Sequence, residues 1–258
     1  MSRLVVVTGS ASGIGAAVCS LLRERGDRVI GVDLKDAEVC ADLSTSDGRA
    51  AAVESVLEQA GGVLDGLVTC AGLSSPSPAL PRVNYFGTTA PVLGLRPALA
   101  ASTAPRVVLI GSISGTQPVD QALVDALLAD DEESAVTLAE TAISSGRANQ
   151  VYPSSKSALA QWARRTCVAP GWADAGIALN VVAPGVVLTP MSTGLLADPA
   201  MRKVMDGAVP MPLHGHAAPE DIARAVGLLA SPELTHVTGQ VLYVDGGAEA
   251  TLRPADRF

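Results

Sequence analysis

The first thirty-three residues leave the chain few choices. A five-residue apolar run, LVVVT (4–8), is followed at once by a glycine-rich turn. Ile14, Ala17, Val18, Leu21 and Leu22 then recur at helical spacing until Gly26, and a second apolar run, RVIGVD, fills 28–33. Strand, turn, helix and strand in so short a span make one βαβ unit, because parallel strands need a crossover of a dozen or more residues and here the crossover is the helix. Both runs are nearly continuously apolar rather than alternating, as strands buried on both faces are. GLVTC (66–70), RVVLIG (106–111), IALNVV (177–182) and QVLYVD (240–245) repeat the pattern, separated by longer stretches of helical period. The expected class is α/β with a parallel sheet.

The turn itself, TGSASGIG (Thr8 to Gly15), carries the first functional hint. Glycines at 9, 13 and 15 permit a tight turn, a close approach of backbone to a pyrophosphate and close helix-to-sheet packing, while the helix start offers free N–H groups. Glycines alone also serve any tight βα turn. Asp33, which ends the second strand, adds an acidic side chain where an adenosine ribose would lie. Together they predict a Rossmann-type doubly wound sheet that holds a dinucleotide, with residues 1–258 as a single domain.

Composition narrows the rest. With 258 residues, 48% of them hydrophobic, the chain can bury one sizeable core. The formal charge is −8, from 18 basic and 26 acidic residues, and no basic cluster offers the counterion release that nucleic-acid binding needs. Cys19, Cys40, Cys70 and Cys167 are far apart and have no metal-ligand spacing, and no signal-peptide layout precedes Leu4. Reduced thiols and a cytoplasmic location are expected. No apolar run reaches the roughly 18–20 residues of a membrane span. Of His214, His216 and His236 only the His214/His216 pair has ligand spacing, and it is expected in a solvated loop, so no metal is assigned.

The glycine spacing T-G-x-x-x-G-I-G, together with Tyr152-Pro153-Ser154-Ser155-Lys156 far downstream, resembles the short-chain dehydrogenase/reductase family over essentially the whole chain. Asp42-Leu43, Cys70-Ala71-Gly72, Asn84, Ser112, Pro184-Gly185 with Thr189, and Val244-Asp245-Gly246-Gly247 follow in family order. VDLKDAEVCADLST, DGLVTCAG and VNYFG are similar to its bacterial 3α-hydroxysteroid dehydrogenase/carbonyl reductase subgroup. The resemblance implies four catalytic residues. Tyr152 exchanges a proton with the substrate oxygen, Ser112 hydrogen-bonds that oxygen, Lys156 also binds the nicotinamide ribose, and Asn84 holds a water that carries protons onward. It implies cofactor contacts at Gly9, Ser12, Gly13, Ile14, Gly15, Asp33, Asp42, Leu43, Gly72, Tyr152, Lys156, Val187 and Thr189.

Physical chemistry makes the Tyr152–Lys156 pair plausible in its own right. Pro153 suits the first turn of a helix, so positions 152 and 156 project from one face. A phenol of pKa about 10 is a poor base at neutral pH. A cation roughly 6 Å away, at an effective dielectric of about 20, favours phenolate by about 3 kcal/mol. The spacing therefore predicts a Tyr152 pKa below the ordinary value. Asp33 repels a ribose 2′-phosphate, and neither Ser12 nor Leu34 is basic, so NAD is favoured over NADP, although Lys35 stands close in sequence.

Departures from the family pattern are equally informative. Thr69-Cys70 stands where relatives carry two asparagines. The proline-rich stretch from Gly72 to Asn84 predicts that a helix common there is lost, and Pro170-Gly171 should end or kink the Tyr152 helix. Met191, Met201, Met205 and Met211 fall with Leu195, Leu196, Val209 and Leu213 in a segment, about 190–215, that covers the substrate in relatives. Such side chains suit a bulky apolar ligand or simply a lid packed on its own protein, and the subgroup resemblance implies a bulky apolar secondary alcohol or ketone, most simply a hydroxysteroid, as the substrate. A smaller or polar alcohol such as a terpenol or polyol, and a non-catalytic NAD-sensing protein, are the alternatives. Finally, an insertion at about 117–149 reads as two helices, Val119–Leu128 and Ala135–Ile143, with Asp130 to Glu133 as the turn or the second helix's acidic start. Standing before the Tyr152 helix, it should alter the subunit contact common in the family, so a homo-oligomer, favoured as a dimer, is expected not to use that face.

Overall fold

A computed structural model describes residues 2–253 and 255–257. Seven parallel strands form one sheet in the order β3-β2-β1-β4-β5-β6-β7. They are β1 (Leu4–Thr8), β2 (Arg28–Asp33), β3 (Val39–Cys40), β4 (Gly66–Thr69), β5 (Arg106–Ile110), β6 (Ala178–Pro184) and β7 (Val241–Val244). The chain runs outward from β1 through β2 to β3, then returns to lay β4 against the other edge of β1. Strand order therefore reverses between β1 and β4, and that reversal opens a crevice beyond their carboxyl ends. Thr8 pairs with Thr69, and Thr69 with Leu109. This register brings the ends of the three central strands to one level.

Side chains of successive strand residues point to opposite faces, and each face has its own core. Val6, Leu67, Val107 and Leu109 pack with α2 (Ser46–Ala60), α4 (Gly87–Ala100) and α7 (Val151–Thr166). Val5, Val7, Val68, Val108 and Ile110 pack with α1 (Gly13–Glu24) and α10 (Pro219–Leu229). The strands and the first helix lie where the apolar runs place them. β3, only two residues long, is a strand that the apolar runs do not announce.

Around the crevice the chain departs from expectation in detail. Residues 72–78 carry no helix, but a short α3 (Ala79–Pro81) passes through a π-helical turn, Arg82–Phe86, straight into α4. Pro78 and Pro81 are tolerated because they stand at the helix start, where an N–H is not missed. Pro170 neither ends nor kinks α7, which stops earlier, at Thr166. Past the end of β6, α8 (Pro190–Ala197) and α9 (Pro199–Ala208) cover the mouth of the crevice, and α11 (Ala248–Leu252) closes the chain beyond β7.

The insertion forms the helical hairpin its periodicity predicts: α5 (Gln121–Leu128) and α6 (Glu132–Ser144). The first helix starts two residues late because Asp120 caps it, accepting from the Leu123 N–H at 3.3 Å; Asp131 caps α6 through Ser134. An Asp120–Arg147 ion pair ties the ends of the hairpin together. The Asp120 N–H donates to Ser154 Oγ at 2.9 Å, which fixes the hairpin to α7. Leu123, Val124, Leu127, Ala135, Ala139 and Ala142 are buried in the same core as the sheet. The hairpin thus covers α7 as part of the core. Accordingly, Leu127→Ala is expected to lower unfolding free energy by about 2–5 kcal/mol, as in a core deletion. Urea titration checks this: a loss within experimental error of zero would make the hairpin a surface excursion.

Candidate active site

The crevice is a cleft of about 390 Å³ at the carboxyl ends of the central strands. The glycine turn forms one end. Gly9 has φ +67°, and a Cβ there would stand 2.6 Å from the Ala71 amide nitrogen; a Cβ on Gly15 would stand 2.0 Å from the Gly9 carbonyl oxygen. Only glycine fits either position, so backbone is laid bare to the cleft. Ser12 caps α1 with no side-chain hydrogen bond, so the first-turn N–H groups keep donors for an anion. The Asp33 carboxylate is oriented by two backbone donors, Ala11 N–H to Oδ2 at 3.0 Å and Leu34 N–H to Oδ1 at 2.7 Å. Asp42 and Leu43 continue the wall, and hydrogen bonds from Ser44 hold the Asp42 carboxyl below the usual carboxylate range. An open backbone cradle, a helix start and a carboxylate at one end of a single cleft fit a dinucleotide.

Ser112, Tyr152 and Lys156 meet in the same cleft. Ser112 follows β5 in extended conformation and its Oγ accepts from the Ser114 N–H at 3.1 Å. Lys156 Nζ lies 5.8 Å from the centroid of the Tyr152 ring and donates to the Ile110 carbonyl at 2.8 Å. A lysine has three donors, so two remain for the cleft.

The expectation of a Tyr152 pKa below the ordinary phenol value is wrong for this structure. Burial disfavours phenolate and raises the pKa, and a hydrogen bond with Ser112 opposes the shift without reversing it. Burial also pulls Lys156 down to about 8, so the cation meant to hold the phenolate is itself weakened. The physical reason is that the sequence argument counted Coulomb attraction and left out desolvation of both partners. Burial likewise pushes the Cys70 thiol up, so it stands beside Lys156 as a neutral group.

Asn84 is the predicted residue that does not line the cleft. It is fully buried in the π-helical turn. Its Oδ1 accepts from the Leu73 N–H at 2.7 Å and its Nδ2 donates to the Leu73 carbonyl at 2.9 Å, with Ser155 Oγ at 3.5 Å. The side-chain amide thus braces the loop after β4 against α7. Gly72, Val187 and Thr189 line the cleft as expected. The Thr189 methyl lies 3.3 Å from where a Gly13 Cβ would stand, joining the covering segment to the glycine turn.

The apolar residues of that segment divide. Met191, Leu195, Met205 and Val209 line the cleft; Leu196 and Met211 pack in a small core with Ile113 and Val186. Met201 and Leu213 are exposed. His216, expected in a solvated loop, is mostly covered and pairs with Asp206 of α9 at 2.8 Å. Sequence reasoning missed Leu73, Ser74, Ile113 and Val186 as lining residues. Their positions directly after Gly72, Ser112 and Gly185 were the available signal. Among the described residues no cluster of histidine, cysteine or carboxylate could hold a metal ion, and no helix is long and apolar enough to cross a membrane.

Comparison with known proteins places this geometry. The family model described as Enoyl-(Acyl carrier protein) reductase matches residues 9–249. The chain is 37% identical over 256 residues to a 3-alpha-hydroxysteroid dehydrogenase/carbonyl reductase of Comamonas testosteroni, covering 97% of this chain and 98% of that one. It is 32% identical to a cis-4-hydroxycyclohexanecarboxylate dehydrogenase of Sinomonas cyclohexanicum, covering 96% and 97%. Its fold matches the crystal structure of the 3-alpha-hydroxysteroid dehydrogenase from Pseudomonas sp. B-0831 complexed with NADH, with TM-score 0.90 and 43% identity over 97% and 98% of the two chains. The order of motifs, the sheet and these full-length similarities lead to one conclusion: the chain belongs to the short-chain dehydrogenase/reductase family.

Proposed function

We propose that this protein is an NAD-dependent oxidoreductase that interconverts a secondary alcohol and a ketone on a bulky apolar ring substrate of the hydroxysteroid type. One observation carries the reading: Ser112, Tyr152 and Lys156 line the same cleft whose far end holds Asp33 beside the glycine turn. The relatives that act on hydroxysteroids and on a hydroxycyclohexane acid, and the NADH complex of the Pseudomonas protein, support it. When bound, the nicotinamide cofactor supplies or accepts the hydride. Gly9, Ser12, Gly13, Ile14 and Gly15 would hold its phosphates, Asp33, Asp42 and Leu43 its adenosine half, and Gly72, Lys156, Val187 and Thr189 its nicotinamide half.

The chain's own residues handle the proton. With its pKa raised, Tyr152 stands at neutral pH as a phenol, ready to protonate the oxygen of a ketone as negative charge gathers there. Ser112 donates a second hydrogen bond to that oxygen. Lys156, protonated below about pH 8, supports both through its field. In the reverse direction Tyr152 must be ionised before it can take the alcohol proton. Because its folded pKa is raised, the phenolate fraction grows only as pH rises. Met191, Leu195, Met205 and Val209 then exclude water from the reacting oxygen.

Tyr152→Phe is expected to keep NADH binding and lose about 10²–10⁴-fold in turnover. In the wild type, ketone reduction should fall above about pH 8 as Lys156 loses its proton, while alcohol oxidation rises. Near-normal turnover of the phenylalanine variant, or ketone reduction that rises and alcohol oxidation that falls above about pH 8, would remove this mechanism. For the cofactor, wild type should prefer NAD in kcat/KM. Asp33→Ala should narrow the NAD/NADP ratio by about an order of magnitude, since one nearby repulsive charge is removed. An initial preference for NADP sinks that part. For the substrate, Met205→Asp should raise KM for a bulky cyclic ketone on the order of tenfold, and leave a small ketone nearly unchanged, because only the bulky ring buries the new charge. Equal effects on both would mean that α9 is packed but does not face substrate.

A further inference from the structure

Behind the wall formed by Asp42, Leu43 and Ser44 lies a buried cation that none of the assigned roles uses. Arg49, on α2, is 6% exposed. Its Nη1 donates to the Leu43 carbonyl at 3.3 Å, its Nη2 meets Glu132 Oε2 at 2.5 Å, and its guanidinium carbon lies 5.9 Å from the centroid of the Phe86 ring. Glu132 is the first residue of α6 in the inserted hairpin, and its other oxygen receives Arg82 Nε at 3.5 Å. Arg82 and Phe86 are the two ends of the π-helical turn that carries Asn84. One carboxylate therefore joins α2 to that turn, and one guanidinium joins both to the loop lining the cleft.

The loop carries some local support: the Ser44 N–H donates to Asp42 Oδ1 at 2.9 Å, the Thr45 N–H to the Asp42 carbonyl at 3.2 Å, and Leu43 is buried in the core. Beyond its contacts with Arg49, it is wedged between two glycines where side chains have no room. A Cβ on Gly48 would stand 2.0 Å from the Asp42 carbonyl, and one on Gly87 would stand 3.1 Å from the Leu43 carbonyl. Such fit locates the loop only while α2 and the π-helical turn keep their spacing. The Arg49–Glu132 pair, drawn from residues 83 positions apart, links α2 to α6, and Arg82 on the same carboxylate completes the polar link to the π-helical turn. A buried guanidinium whose partner is removed is costly to leave in place, so loss of the carboxylate forces the side chain, and the loop on it, to move.

We infer that Arg49, clamped by Glu132 of the insertion, is a positioning residue of the cofactor site, holding the Asp42–Ser44 wall in register with the Asn84 turn. The inference rests on the reading of this cleft as a dinucleotide site. It gives the insertion a second role besides covering α7: it supplies the counter-ion for the adenosine-side wall.

The test uses the full-length protein and NADH as probe, with affinity read by fluorescence, steady-state kinetics and thermal melting. Glu132→Gln keeps the shape and removes the charge. It should weaken NADH binding and raise KM for NAD by about tenfold, the scale of one lost charge-assisted hydrogen bond, with kcat within about twofold. Arg49→Met should do the same, and the double variant should be no worse than Arg49→Met alone, since paired residues are not additive. Arg147→Gln serves as control, because it breaks the hairpin's other ion pair and should lower the melting temperature without altering NADH affinity. A lower melting temperature with unchanged NADH affinity in Glu132→Gln overturns the clamp. Equal losses of affinity in Arg147→Gln also overturn it, by making hairpin stability the cause. Wild-type protein that fails to bind NADH overturns the dinucleotide reading itself.

Discussion

The close approach of Gly9 to the strand end at Ala71 is the contact on which the rest of the site depends. Because no side chain fits between them, the turn after β1 can lie flat against the end of β4 at the place where strand order reverses. The start of α1 then opens into the crevice instead of being capped from within, and the Asp33 carboxylate can be held by the Ala11 N–H across the same turn. A single added methyl at this point would push apart the two strands whose ends carry everything else. The apolar β-branched strands matter to the site through this contact, since their pairing up to Thr8 and Thr69 brings Gly9 against Ala71 just beyond it.

Desolvation is the second constraint, and it works against the charges that the chemistry uses. Tyr152 and Lys156 both shift towards their neutral forms because the cleft that excludes water from a reacting oxygen also strips water from them. The Lys156 bond to the Ile110 carbonyl limits this by replacing lost hydration at one donor. In the reaction proposed above, this pair gives a proton at neutral pH and takes one at higher pH. That bias follows from burial, and spacing in sequence could not reveal it.

What was legible in the sequence is what rests on local pattern. The six longer strands, α1, the glycine turn and the inserted hairpin follow from apolar runs, helical period and capping residues within a few positions of each other. Asp120 and Asp131 cap helices that periodicity had already located. The unreadable parts depend on partners far apart in the chain. β3 is two residues held in place by pairing with β2 rather than by any propensity of its own. Asn84 could be named from its motif, but not that its amide is spent on the backbone of Leu73. The methionines of the covering segment could be counted, yet which of them face the cleft is decided by how α8 and α9 pack.

The hairpin adds to the core of the fold without entering the cleft. Its apolar face joins the existing core over α7, so it adds burial where the scaffold already had a hydrophobic surface. Its attachments are made at both ends: Asp120 takes Arg147 and Ser154 on the α7 side, while Glu132 takes Arg49 and Arg82 on the side of α2 and the Asn84 turn. No residue of the hairpin lines the cleft. It can act on the cleft only through the elements it grips, and those elements carry Tyr152 and Lys156 on one side and the Asp42–Ser44 wall on the other. A segment placed this way touches the supports of both halves of the cleft while contributing no lining residue of its own.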